Sequence, residues 1–232
     1  MQIILVKNSD QGAIKAKDFL HDNIDNKTVL FLSGGLTPKS LYTLLAKEKF
    51  LRPGAVGMVD ERYGKSFHEN SNEMMIKESG LLHYLELQNI PFHPIIQPFI
   101  TREAAAELYD SKVRNLLFQF SKSVVILGIG ADGHTSSILP NRSDFINPMF
   151  EKSQKSKYIS DFDDKKVHGQ RIGMTFTGLS AMDFLIVLVF GKNKKQALKK
   201  MLQPGPIEDI PSRLFMEQEL SKKTIIITDQ KV

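Results

Sequence analysis

Short apolar runs alternate with longer amphipathic stretches along the whole chain. The runs Ile3–Val6, Val29–Leu32, Ala55–Val59, Val124–Leu127, Leu185–Val189 and Thr224–Ile227 are rich in Val, Ile and Leu and show no polar–apolar alternation. That is the pattern of parallel strands covered on both faces. Between them, Ala13–Leu20, Pro38–Glu48, Ser71–Leu82, Arg102–Phe120 and Lys194–Leu202 carry helical spacing. Thr37 before Pro38 predicts an N-cap with proline just inside the helix. Thr101 precedes the fourth helix, and the early Glu103 and Glu107 suit its dipole. The alternation predicts an α/β fold, a doubly wound and mostly parallel sheet flanked by helices. Ile90–Pro98, with three prolines, reads as an irregular crossing, Pro140–Val167 as a polar lid or flap, and Pro204–Pro211 as a turn. None of these reads as a linker, so residues 1–232 are expected to form one domain.

Composition narrows the chemistry. The 232 residues include no cysteine, which removes disulfides, Cys-based zinc sites, thiol nucleophiles and iron–sulfur clusters. The hydrophobic fraction of 41% and charged fraction of 25% are those of a globular protein. No apolar stretch approaches the roughly 20 residues of a membrane-spanning helix. The N-terminal run MQIILVKNSDQG has no basic region and no cleavage site, so it reads as a first strand rather than a signal peptide. No membrane partner and a cytoplasmic location are expected.

Thirty-one Lys and Arg against 26 Asp and Glu leave a formal charge of +5, with a pI near 9.2. The surplus suits an acidic partner, a phosphate ligand or a lysine-rich surface. The lysines are scattered apart from the cluster Lys192, Lys194, Lys195, Lys199 and Lys200, and no nucleic-acid-binding motif is present, so no nucleic-acid partner is expected. His21, His68, His83, His93 and His168 show no metal-ligand spacing, so no metal and no cofactor are expected.

Three segments follow predicted strands, where open parallel sheets bind their ligands. Ser33-Gly34-Gly35-Leu36-Thr37-Pro38 joins a strand to a helix. Its glycines and the helix N–H groups suit a phosphate, although the Gly-Lys-Ser/Thr ending of a nucleotide P-loop is missing. A tight turn capped by Thr37 is the plain alternative. Asp60-Glu61-Arg62 offers carboxylates beside a cation, fit to orient a polyol or carry protons; a solvated charged loop is the plain alternative. Gly128-Ile129-Gly130-Ala131-Asp132-Gly133-His134-Thr135-Ser136-Ser137 contains G-x-G-x-x-G, yet the residues after it show no strand ending in an acidic residue. That argues against a dinucleotide site. His134, with Asp132 two residues away, is a candidate general base.

The three segments together resemble the 6-phosphogluconolactonase family, which is similar to glucosamine-6-phosphate deaminase and shares its α/β fold. Asn72 after Asp-Glu-Arg, Arg171-Ile-Gly-Met-Thr-Phe, Gly191-Lys-Asn-Lys194 and Ile210-Pro-Ser-Arg-Leu extend the resemblance from about residue 29 to the C-terminus. The deaminase relatives carry a glutamate five positions after the motif's histidine, where this chain has Leu139. Thr135 and Arg62 also resemble the lactonase pattern, while Tyr63-Gly64 echoes the deaminase loop. Leu36 stands where the family usually has serine.

The resemblance implies hydrolysis of 6-phospho-D-glucono-1,5-lactone to 6-phosphogluconate, the second step of the oxidative pentose phosphate pathway. His134 would activate water and return the proton to the ring oxygen, and Asp132 or Asp60 would orient the water or the imidazole. Backbone N–H groups of a glycine-rich loop would face the oxyanion. The phosphate would rest on Ser33, Gly34, Gly35 and Thr37, with Arg62, Arg171 or Lys194 supplying charge. A monomer or small homo-oligomer acting on a small phosphorylated sugar lactone is expected. The alternatives are an amino-sugar-6-phosphate deaminase or isomerase, and a non-catalytic sugar-phosphate-binding protein.

Overall fold

The six apolar runs and a seventh, two-residue strand from the proline-rich crossing pair side by side into one parallel sheet. In chain order the elements are β1 (Gln2–Leu5), α1 (Ser9–Asn23), β2 (Thr28–Leu32), α2 (Leu36–Glu48), β3 (Ala55–Met58), β4 (Asp60–Arg62), α3 (Asn72–Glu78), α4 (Leu81–Leu87), β5 (Phe92–His93), α5 (Arg102–Gln119) and β6 (Lys122–Gly128). There follow β7 (Ile159–Asp164), β8 (Gly169–Met174), α6 (Phe176–Ser180), β9 (Phe184–Val189), a 3₁₀ turn (Lys192–Lys194), α7 (Lys195–Leu202), a 3₁₀ segment (Pro211–Met216), α8 (Gln218–Ser221) and β10 (Thr224–Thr228). The computed structural model describes residues 1–98, 100–140, 157–164 and 169–231, with backbone only at 162–164.

The large sheet has the order β1-β10-β9-β6-β2-β3-β5, and each pairing is parallel. A second sheet, β4-β8-β7, is antiparallel. The central strands β2, β6 and β9 are buried almost throughout, as continuous apolar runs predict for strands covered on both faces. Because β2, β6 and β9 are neighbours and parallel, their carboxyl ends open on the same side. Chain segments more than 150 residues apart in sequence thus meet above that edge.

Several expectations need correction. Ile3–Val6 was expected to be covered on both faces, but β1 is an edge strand with Ile3 40% and Leu5 53% exposed. Apolar content reports β propensity, not position in a sheet. Ser71–Leu82 is two helices rather than one. Gly80 takes φ 82 between Glu78 and Leu81 and breaks the i to i+4 ladder. Ile90–Pro98 contains β5, the opposite edge strand, paired through Val56–Phe92 and Gly57–His93. Within Pro140–Val167, residues 159–164 form β7 against β8; residues 141–156 and 165–167 lie outside the described residues. The 194–202 helix begins one residue later, with Lys194 in the 3₁₀ turn.

Candidate active site

Ser33–Thr37 leave β2 and turn into α2. The helix starts at Leu36, and the residue before it is Gly35 at φ 90, so Thr37 lies inside the first turn and is not the N-cap. A glycine tolerates that left-handed backbone, and no side chain caps the helix. The α2 N-terminus is therefore presented to the pocket without a capping group. The Ser33 hydroxyl oxygen is buried with no hydrogen-bond partner, although the residue lines the same pocket. An unpartnered buried donor beside a helix N-terminus is a place for an anion. Gly34 serves another purpose: a Cβ there would overlap the Asn72 side chain.

Asp60-Glu61-Arg62 is not a solvated loop. It forms β4, antiparallel to β8, with Asp60 and Glu61 buried. Charged residues can occupy a strand here because each finds a partner. Asp60 Oδ2 receives Arg171 Nη2 at 2.9 Å and the Ser137 hydroxyl at 2.9 Å. Arg171 Nε donates to Ser137 Oγ at 3.1 Å. The Asn72 amide donates to the Asp60 carbonyl at 2.8 Å and to Oδ1 at 3.2 Å.

Arg62 and Arg171 stand directly opposite each other in the β4–β8 register. Like charges so placed repel. Burial first, and then the charge of Arg171, lowers the pKa of the Arg62 guanidinium. An anion between them would relieve both effects. Lys194, half-buried on the same pocket, has no ion-pair partner among the described residues. Burial lowers its pKa, and Asp132 opposes that shift.

The third loop leaves β6 and folds into tight turns rather than a helix. Gly130 N–H donates to the His134 carbonyl at 2.8 Å, and Gly133 N–H to the Gly130 carbonyl at 3.0 Å. A dinucleotide fingerprint would open a helix at this point. Ser212 N–H of the C-terminal 3₁₀ segment donates to the Gly133 carbonyl at 2.9 Å and ties the turn down from outside. Ser136 takes φ 53, and its hydroxyl donates to the Met174 carbonyl at 2.9 Å, which fastens the loop to β8.

Within this turn His134 Nδ1 lies 2.7 Å from Asp132 Oδ1, and His134 N–H donates to the same oxygen at 3.1 Å. Burial works against the Asp132 charge, but the hydrogen bond and charge of His134 outweigh it and hold the carboxyl well below the usual carboxylate range. An ionised Asp132 accepting Nδ1–H leaves the lone pair of neutral His134 on Nε2, the form a general base needs. Asp132 is thus the carboxylate on His134, whereas Asp60 is engaged with Arg171, Ser137 and Asn72.

The three loops close around one pocket of about 470 Å³. Ser33, Gly34, Gly35, Thr37, Asp60, Arg62, His134, Arg171 and Lys194 all line it. Sequence reasoning did not assign a site role to Asn72, Ser136, Phe190 or Asn193, which line it as well. Asn72 had a signal, since it follows Asp-Glu-Arg, and so had Asn193, inside Gly191-Lys-Asn-Lys194; Phe190 directly follows β9 and had none. The position five residues after His134 holds Leu139, 5% exposed, so no carboxylate stands there. Among the described residues no group of three or more His, Asp or Glu side chains is placed to hold a metal ion. No described helix is long and apolar enough to cross a membrane.

Comparison with known proteins gives consistent matches. Residues 10–226 match the model of a family described as glucosamine-6-phosphate isomerases/6-phosphogluconolactonase. A 6-phosphogluconolactonase of Nostoc sp. is 29% identical over 224 residues, covering 90% of this chain and 89% of that protein. That of Thermotoga maritima is 29% identical over 195 residues, 78% of each. Its crystal structure superposes with a TM-score of 0.75 at 26% identity over 97% of both chains. A monomeric glucosamine-6-phosphate deaminase shares the fold, with a TM-score of 0.74 at 20% identity, covering 99% of this chain and 98% of that one.

Proposed function

This chain belongs to the family of glucosamine-6-phosphate isomerases and 6-phosphogluconolactonases, and from that premise we propose that it is a lactonase hydrolysing 6-phospho-D-glucono-1,5-lactone to 6-phospho-D-gluconate. The observation that carries the reading is one pocket lined by His134, whose Nδ1 is held by Asp132 outside the lining, together with the α2 N-terminus, Arg62 and Arg171.

In this mechanism the substrate's phosphate rests against the α2 N-terminus, Ser33 and Thr37, with Arg62 and Lys194 supplying charge. His134 Nε2 takes a proton from water as the water oxygen attacks the lactone carbonyl. The developing oxyanion needs a donor other than the cations that hold the phosphate. Gly130 N–H, already bound to the His134 carbonyl, is not its donor. Collapse of the adduct breaks the bond to the ring oxygen, which receives the proton from His134. Asp132 holds the imidazole and stabilises its protonated form. Asp60 acts as an anchor for Arg171 and Asn72. The reading includes a cytoplasmic enzyme that is a monomer or small homo-oligomer.

A deaminase reading is disfavoured by Leu139. The deciding assay compares hydrolysis of freshly generated lactone, corrected for spontaneous opening, with ammonia release from glucosamine 6-phosphate. Enzyme-dependent lactone loss without ammonia is expected; ammonia release without lactone turnover would overturn the proposal.

The cations call for different tests. Removing Arg171 strands the buried Asp60 carboxylate, and breaking a buried pair costs about 3–5 kcal/mol, so its loss would confound binding with folding. Lys194 carries no such burden. Lys194→Ala is expected to raise KM roughly tenfold with kcat within about threefold, as loss of uniform phosphate binding requires. Steady-state kinetics check this, and an unchanged KM would remove Lys194 from the phosphate site.

A further inference from the structure

Behind the pocket wall lies a carboxylate that this mechanism does not use. Glu61 sits on β4 between Asp60 and Arg62, and strand alternation turns its side chain to the opposite face. It is fully buried. Its Oε1 accepts the backbone N–H of Arg62 at 2.6 Å and of Asn72 at 2.8 Å, and Oε2 accepts that of Glu73 at 2.9 Å. One side chain therefore joins β4 to the first turn of α3.

What it joins is the wall of the pocket. Asn72 reaches Asp60 through its amide, accepts from Arg62 Nη1 at 3.3 Å, and fills the space left open by Gly34. Arg62 Nη1 also donates to the Asn70 carbonyl. Asn72 is thus where the first and second loops meet, and its backbone is held by Glu61.

We propose that Glu61 is a positioning residue, whose ionised carboxylate holds Asn72 and Arg62 in the arrangement that receives the substrate's phosphate end. The inference rests on the lactonase reading above and adds to it a control on substrate affinity. Burial raises the Glu61 pKa to about 7, with three backbone N–H groups opposing the rise and the nearby Glu73 adding to it. The charged groups that act on it are Glu73 from α3 and Arg62 beside it on its own strand; Ile172 stands across from it on β8. Protonation replaces one acceptor oxygen by a hydroxyl and weakens the clip. Affinity therefore falls as pH drops through about 7.

Glu61→Gln tests this, because the amide resembles the protonated acid. Its oxygen can still accept from Arg62 and Asn72, but its NH₂ then meets the Glu73 N–H, donor against donor. KM at pH 8 is expected to rise on the order of tenfold with kcat within about twofold, as for lost uniform binding. Below pH 7 the wild-type KM should climb toward the variant's, beyond the change caused by the substrate phosphate's own titration near pH 6. The variant should show only that phosphate step. A folded Glu61→Gln enzyme with wild-type KM and pH profile would overturn the proposal. So would a loss confined to melting temperature, which is what a merely structural residue would show. If circular dichroism shows that Glu61→Gln does not fold, Glu61→Asp replaces it: a raised KM that keeps the extra pH step supports the proposal, and an unchanged KM defeats it. Wild-type enzyme inert on the lactone would fault the functional reading instead.

Discussion

Replacing His134 by alanine is expected to lower kcat for lactone hydrolysis by about 10²–10⁴-fold, the usual contribution of a positioned general base. The effect falls on chemistry rather than folding. The side chain is 34% exposed on a surface turn, and its neighbour Asp132 is 39% exposed. When the imidazole is removed, water re-solvates the carboxylate, so the stability lost is that of an exposed pair, about 1 kcal/mol or less. The expected result is an unchanged far-UV spectrum, a melting temperature within a few degrees of wild type, and a kcat lowered by that factor but still above the spontaneous rate. Asp132→Asn adds a graded control, because an amide in that position no longer fixes the tautomer with the lone pair on Nε2. A His134→Ala protein with full turnover would end the assignment.

Gly130→Ala comes next, although it adds only a methyl group. A Cβ at Gly130 would overlap the His134 ring and the Asp132 carboxylate oxygen. Both obstacles are side-chain atoms on a partly exposed turn, so the chain relieves the clash by swinging the pair aside rather than by unfolding. A displacement of about 1 Å in a catalytic group is enough to cost around 10²-fold, and that loss in kcat is expected with the fold intact. Gly128→Ala, two residues earlier, is the control. Its Cβ would meet nothing nearer than the Leu188 carbonyl oxygen at 3.8 Å, an ordinary contact. The His134–Asp132 pair stays in place there, so a smaller loss is expected, limited to the methyl's effect on the pocket that Gly128 also lines. Equal losses in the two variants would show that the loop responds to any added methyl and that the pair is not the point of damage.

The two variants mark what was legible in the chain and what was not. His134 and Asp132 are two residues apart, and a tight turn brings such neighbours together whatever surrounds it. Their pairing was therefore open to inference from the motif alone. Asp60 was not so readable. It was equally a candidate to orient the water or the imidazole, and nothing local excludes that. Its partner Arg171 is 111 residues away. Thr37 fits a helix start, yet one glycine with positive φ moves the start to Leu36 and leaves the helix end uncapped.

Asp60-Glu61-Arg62 shows the boundary most clearly. Three consecutive charged residues carry no apolar signal, and the plain reading is a solvated loop. They are a strand because β8 supplies Arg171, Ser137 lies within reach, and α3 offers its backbone N–H groups. Burial of charge is decided by whether partners are present, and these partners come from other parts of the chain.

By itself, then, the sequence determined the alternation of strands and helices, the three loops at strand ends and the histidine with its near carboxylate. Periodicity and turn chemistry act over a few residues and are written in those residues. The tertiary structure alone decided which strands are neighbours, that a second sheet sets Arg62 opposite Arg171, and that Asn72 fills the gap at Gly34. It also decided which carboxylate serves the imidazole and which anchors a cation. Those outcomes depend on strand order and register, which bring together side chains far apart in the sequence whose pairing no local pattern records.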